Sequence, residues 1–296
     1  MKTGYLAAEG FEEELKQELQ GPIEQFGRLF LVPGSPQHVH WAQNIWFNPV
    51  NIPFCSISDA AKQLRALHPL WSFYPHQLIR RGLLISKQLP YFSPKPRSFP
   101  SPLPALSPGS WTLLDSNMLL AAPHCLSPFA NGEIRFQESE IPPGRAYLKL
   151  WEILTRIGRW PQAGHKCLDL GACPGSWTWV LQQLGTHVVA IDRAPLDSEI
   201  AALPNVSFIK RDAFSTKPED LAGQDWVFCD VICFPEKLLG WLQKCVPSCS
   251  KTNFICTIKF QGAVDRSIIR EFECFEKSSC FHLFHNKHEL TWIRLV

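Results

Sequence analysis

The stretch Cys167-Leu168-Asp169-Leu170-Gly171-Ala172-Cys173-Pro174-Gly175-Ser176-Trp177-Thr178-Trp179 constrains this chain more than any other, because an apolar run breaks into a glycine loop and resumes as an amphipathic segment. That order specifies a strand, a tight turn and a helix whose first amides face the turn. Gly171 and Gly175 let the backbone approach a ligand closely, and the helix N-terminus favours a polar group such as the carboxylate of an amino acid moiety. Gly171, Ala172, Pro174, Gly175, Ser176 and Trp177 are therefore candidate binding positions.

The acids that follow extend the candidate site. A second apolar run, His187 to Ile191, ends in Asp192, 21 residues after Gly171, where a carboxylate can accept hydrogen bonds from ribose hydroxyls. A third run, Val206 to Ile209, ends near Asp212, and a fourth, Trp226 to Cys229, ends at Asp230. In an open parallel sheet the carboxyl ends of the strands share one edge, so the three acids line one crevice. The Gly-x-x-x-Gly spacing is not the dinucleotide fingerprint Gly-x-Gly-x-x-Gly, and it fits S-adenosylmethionine better than nicotinamide or flavin. A fifth strand, Phe254 to Ile258, delivers Lys259, and the runs Cys280 to His285 and Leu290 to Val296 form a terminal antiparallel hairpin. Helical spacing fills the gaps at 146–158, 177–184, 236–245 and 266–275. The fold class expected is α/β, a mostly parallel Rossmann-like sheet with a C-terminal antiparallel hairpin, as in class I methyltransferase domains.

Two further segments carry a family resemblance. Gly144-Arg145-Ala146-Tyr147-Leu148-Lys149-Leu150-Trp151-Glu152 resembles the S-R-A-x-x-K-L-x-E helix of FtsJ-like ribose 2′-O-methyltransferases. With the D-L-G-A-C-P-G-x-W-T loop it is most similar to the bacterial 23S ribosomal RNA cytidine 2′-O-methyltransferase M group, and Ala8 to Leu15 resembles the P-G-F-E-K-E-L start of that group. The sequence departs from the pattern at Gly144, at Ser176 in place of a glycine, and at Phe260-Gln261 after Lys259. The resemblance implies a Lys-Asp-Lys-Glu catalytic tetrad on Lys149, Asp230, Lys259 and Glu289, with Asp230 also bordering the cofactor. It implies Lys259 as the base, Asp230 and Lys149 as orienting groups and Glu289 as the anchor of the network. A lysine acts as base only when neutral, and a second cation plus desolvation would lower its pKa.

At 296 residues and 45% apolar content the chain exceeds what one hydrophobic core organises. The expected division is residues 1–135, an α+β RNA-binding region that the resemblance makes ferredoxin-like and THUMP-like, and 136–296, the methyltransferase domain. Charge separates the two. Seven basic residues between Ala60 and Leu114, namely Lys62, Arg65, Arg80, Arg81, Lys87, Lys95 and Arg97, are accompanied by no Asp or Glu, whereas from Phe136 onward 18 basic residues balance 18 acids. Trp71, Phe73, Tyr74, Tyr91, Phe92, Phe99 and Trp111 interleave with those cations, a composition suited to phosphate contact and base stacking. With Arg145, the seven are the candidate RNA-binding residues. Prolines from Pro90 to Pro108 exclude helix and central strand there.

No secretory signal or membrane span is expected, and eleven cysteines scattered through core elements suit a reducing cytoplasm. The Cys229-x-x-x-Cys233 and Cys245-x-x-x-Cys249 spacings differ from zinc-site spacing, and His282, His285 and His288 read as hairpin surface, so no metal is expected. The reading is an S-adenosylmethionine-dependent ribosomal RNA ribose 2′-O-methyltransferase, the alternative being a non-catalytic RNA-binding or ribosome-assembly factor that kept the fold.

Overall fold

The computed structural model describes residues 1–91 and 95–296, so Phe92 and Pro94 of the aromatic and proline-rich stretch lie outside the described residues. The chain divides into two compact units, Met1–Gln137 and Glu138–Val296.

The first unit comprises β1 (Lys2–Ala7), α1 (Glu12–Glu18), β2 (Glu24–Phe26), β3 (Leu29–Pro33), β4 (Ala42–Phe47), β5 (Val50–Pro53), α2 (Ile57–Leu67), β6 (Trp71–Phe73), α3 (Ile79–Ser86), β7 (Gly109–Leu113), β8 (Met118–Ala122) and β9 (His124–Cys125). These form a five-stranded sheet, β2-β3-β1-β4-β9, and a four-stranded sheet, β5-β8-β7-β6. The Ser56 hydroxyl caps α2 by accepting from the Asp59 amide, and Ala60, Ala61 and Leu64 then face Ile85 of α3 and Trp71, Trp111 and Leu119 of the second sheet in one core. From 95 to 108 the described backbone holds no helix or named strand, and Arg97 makes an isolated bridge to Phe136.

The second unit comprises α4 (Tyr147–Ile157), β10 (Lys166–Leu170), α5 (Ser176–Gln183), β11 (His187–Asp192), α6 (Ser198–Ala201), β12 (Val206–Lys210), α7 (Pro218–Leu221), β13 (Trp226–Cys229), α8 (Pro235–Cys245), β14 (Asn253–Lys259), α9 (Arg266–Glu273), β15 (Ser278–Phe281) and β16 (Glu289–Arg294). They build one seven-stranded sheet in the order β12-β11-β10-β13-β14-β16-β15. Strands β10 to β14 run parallel, while β16 is antiparallel to both β14 and β15. This is the Rossmann-like class expected. The central strands are apolar on both faces, as a parallel sheet flanked by helices requires. The chain steps from β10 out to β12 on one side and from β13 out on the other, so the direction reverses between β10 and β13. A crevice at the carboxyl ends of those two strands is where such sheets bind ligands.

The hairpin is shorter than the sequence suggests. β15 stops at Phe281, and 282–288 turn back, because the Phe284 and His285 amides donate to the Glu152 carboxylate at 2.9 Å each instead of to a ladder. Among the described residues no helix is long and apolar enough to cross a membrane.

Candidate active site

The loop after β10 has its shape dictated by close approach. Gly171 sits at φ +76°, and a Cβ there would lie 2.6 Å from the Val231 side chain in the loop that follows β13. Gly175, at φ +121°, heads α5, where a Cβ would meet Ile200 at 2.8 Å. Neither position accepts a side chain without moving a neighbour. The Ser176 hydroxyl donates to the Gly144 carbonyl at 3.0 Å, and the Trp177 indole donates to the Ala146 carbonyl at 2.9 Å. Two departures from the family pattern, Gly144 and Ser176, are thus bonded to each other, and they tie the glycine loop to the start of α4. The Pro174 carbonyl accepts from the Asp197 amide, and Ala172 is buried.

Outside this loop opens a cavity of about 330 Å³, within the range of small-molecule sites. Of the nine positions expected around a cofactor, Gly171, Asp192, Asp212 and Asp230 line it. Ala172, Pro174, Gly175, Ser176 and Trp177 shape the turn from behind and do not. Arg193, Phe214, Ile232 and Lys237 line it as well and were not anticipated. The Asp192 carboxylate is steered by the Cys173 amide at 3.1 Å and the Ala194 amide at 2.9 Å, and Asp212 accepts from the Phe214 amide at 2.8 Å. Each carboxylate keeps further acceptor capacity.

At the Asp230 end of the cavity four charged side chains converge. Lys149, in the first turn of α4, places Nζ 2.9 Å from Asp230 Oδ2 and 3.0 Å from Glu289 Oε1. Lys259 places Nζ 2.7 Å from Asp230 Oδ1 and 3.6 Å from Glu289 Oε2. Lys259 and Glu289 are direct partners at the end of the β14–β16 ladder, so register alone sets their charges opposite each other. The Thr257 hydroxyl adds a 2.6 Å bond to Asp230 Oδ1. Two cations and two anions, all largely shielded from solvent, form a closed ring.

The ring corrects one expectation. Burial does push the Lys259 pKa down, but Asp230 and then Glu289 outweigh it, so the ammonium is held above its ordinary value and not below. Burial likewise opposes the charge on Asp230, and Lys149 and Lys259 overcome it, holding that carboxyl below the usual carboxylate value.

Residues 143–245 match the FtsJ-like methyltransferase family. The match takes in Lys149, the glycine loop and all three strand-end acids, and stops before Lys259 and Glu289. Curated relatives include the Ribosomal RNA large subunit methyltransferase M of Marinobacter nauticus, 29% identical over 184 residues, which cover 56% of this chain and 50% of the relative. That of Halorhodospira halophila is 41% identical over 97 residues, 32% of this chain and 28% of the relative. The chain spans about half the length of the first of these relatives, and less of the second. Among solved structures, TrmN from Thermus thermophilus aligns over 100% of this chain at 11% identity and a TM-score of 0.37, too distant a likeness to argue from.

The matched segment also contains an acid, Glu152, that the sequence pattern did not place in the site. Glu152 lies one turn beyond Lys149 on α4, is fully buried, and binds Arg156 Nε at 2.7 Å, His285 Nδ1 at 2.7 Å and the amides of Phe284 and His285. Burial alone would raise its pKa, but Arg156, His285 and the amides bring it down to about 2. The helix carrying Lys149 is thereby clamped to the turn that leads into Glu289. His282 and His285 are accordingly not hairpin surface: His282 is buried, with its Nε2 3.0 Å from the Lys287 carbonyl, and burial pushes its pKa down to about 4. Asp169, two residues before Gly171, is buried as well and accepts from the Thr178 hydroxyl at 2.6 Å. Burial, with the neighbouring Asp230 and Asp192 charges, pushes its pKa up to about 7.

Of the seven basic candidates in the first unit, Lys62, Arg65, Arg80, Lys87 and Lys95 are exposed, and Arg81 and Arg97 are half-buried. Arg65 donates to the Gln88 carbonyl, Arg81 lies over the Phe54 ring at 5.4 Å, and Arg97 donates to Ser101 and Pro102 beneath the Phe129 ring. Of the interleaved aromatics, Trp71, Tyr74 and Trp111 are core, whereas half-buried Phe73 and exposed Tyr91 line a cavity of about 660 Å³ with Lys87 and Trp71. In the second unit the exposed Arg145 guanidinium is paired with Glu138 through two bonds of 2.9 and 2.6 Å.

Proposed function

We propose that this chain transfers a methyl group from S-adenosylmethionine to a ribose 2′-hydroxyl of RNA, with ribosomal RNA as the substrate class and the cytoplasm as the place of action. The observation that carries the reading is the Lys149–Asp230–Lys259–Glu289 ring at the inner end of a nucleotide-sized cavity. The names of the curated relatives agree with it.

The cofactor supplies an activated methyl group carried on a sulfonium. Asp192 and Asp212 suit the hydroxyls and base of its adenosine half, Phe214 offers an apolar wall, and the amides after Gly171 suit its amino acid half. Lys259 and Lys149 would orient the ribose hydroxyl oxygen toward the methyl donor, and Asp230 and Glu289 fix both ammonium groups. On methyl transfer the hydroxyl proton would pass to the neutral fraction of Lys259. Because the ring favours the charged form, that fraction is small and grows with pH. In the first unit, whose region 1–135 we read as ferredoxin-like and THUMP-like, the exposed cations Lys62, Arg80, Lys87 and Lys95 add attraction to phosphate.

Asp192→Ala is expected to weaken S-adenosylmethionine binding by about 1–3 kcal/mol through loss of a ribose hydrogen bond, measured by calorimetry. An unchanged affinity removes Asp192 from the site. Reversing Arg80 and Lys87 to Glu is expected to flatten the slope of log affinity for single-stranded RNA against log salt by about 1.4 units, since each neutralised phosphate contributes about 0.7. The proposal itself is tested by mapping 2′-O-methyl groups across total RNA with and without the gene. Loss of one site supports it, and an unchanged map contradicts it.

A further inference from the structure

Ile141, Ile209, Ile232 and Phe234 are the exposed large hydrophobic side chains of the second unit, and two of the four lie in the short loop 231–234 between Asp230 and the start of α8. Ile232 is 79% exposed and Phe234 60%. Ile232 lines the cavity, whose charged lining is Arg193, Lys237 and Lys259 together with Asp192, Asp212 and Asp230. The Lys237 ammonium is held there over the Phe214 ring at 4.7 Å. Apolar surface displayed to water is unfavourable and is relieved when a flat apolar group covers it. Arg193 and Lys237, the two of these cations outside the Asp230 ring, favour a ligand that also carries negative charge.

We propose that Phe234 and Ile232 form a stacking platform for an unstacked nucleobase of the RNA strand, next to the ribose that reaches Lys259. The proposal rests on the methyl-transfer reading and assigns to the FtsJ-like domain a substrate site of its own. A nucleobase supplies the flat apolar face, and the phosphodiesters on either side of it supply the negative charge that Arg193 and Lys237 match. The ring of Phe234 does most of the stacking, and Ile232 closes the edge nearer the cavity. Base–aromatic contacts tolerate any base, so the platform positions the strand and leaves sequence choice to other contacts.

The test uses the full chain, S-adenosylmethionine and large-subunit ribosomal RNA transcribed in vitro, which carries no methyl groups. Phe234→Ala and Phe234→Leu are expected to lower kcat/KM for RNA by about 5- to 150-fold, the range produced by loss of one base–aromatic stack. Calorimetry should find S-adenosylmethionine affinity unchanged in both, and Phe234→Trp should restore most of the activity. Wild-type efficiency in Phe234→Ala overturns the platform while leaving the methyl-transfer reading intact, as does a Phe234→Trp variant no better than alanine. Absence of any transfer by the wild-type chain overturns the reading and the platform together.

Discussion

Lys259→Ala is expected to reduce methyl transfer by about 100- to 10,000-fold, the usual contribution of a positioned acid–base group, with S-adenosylmethionine affinity largely unchanged. The side chain faces the reacting end of the cavity, and Lys149 remains to neutralise part of the Asp230 and Glu289 charge when it is removed. Lys259→Arg separates charge from proton acceptance. Arginine preserves the cation and its ion pairs but cannot lose its proton in a protein, so this variant should stay as inactive as alanine. The pH profile follows from the direction in which the ring moves Lys259. With the ammonium favoured, the neutral amine increases about tenfold per pH unit, and log rate should rise with a slope near one without levelling off below the ordinary lysine value of about 10.4. A plateau near neutral pH, or an active Lys259→Arg variant, would place the proton elsewhere.

Glu152→Ala is expected to cost about 3–5 kcal/mol of stability, measured by denaturant unfolding, because it removes the buried carboxylate that pairs with Arg156 and accepts from the Phe284 and His285 amides. The milder Glu152→Gln keeps the shape and removes the charge. Its deficit relative to wild type has a defined pH dependence. The folded carboxyl is depressed from 4.5 to about 2, so its contribution is fully present above pH 4.5 and is lost as pH falls through the folded value. Wild type and Glu152→Gln should therefore converge in stability between those two values. A gap that persists to pH 2 would show that Glu152 acts through packing and not through charge.

The ring residues and Glu152 differ in how far the sequence reveals them. Asp230 and Lys259 were legible because each ends an apolar run, and a strand end announces itself in one dimension. Glu289 was legible only through resemblance, and the ladder register that sets it against Lys259 belongs to three dimensions. Glu152 escaped because its partners Phe284 and His285 lie 132 and 133 residues away and offer backbone amides, which leave no mark in a sequence. The same clamp explains why the apolar run 280–285 is strand only to Phe281. The charge state of Lys259 is illegible in the sequence for a related reason: desolvation and a second cation argue for a lowered pKa, but the distances to two carboxylates decide the sign. In the first unit, short strands such as β6 and β9 sit below the length at which periodicity shows, and Trp71 or Trp111 reads alike whether it fills a core or awaits a base.

The most direct test of the account incubates the purified chain with methyl-labelled S-adenosylmethionine and unmethylated ribosomal RNA, digests the RNA to nucleosides and identifies the labelled product. The account predicts label in a 2′-O-methylated nucleoside, abolished by Lys259→Ala. Label on a base, or RNA left unlabelled by a folded, cofactor-binding chain, would contradict it.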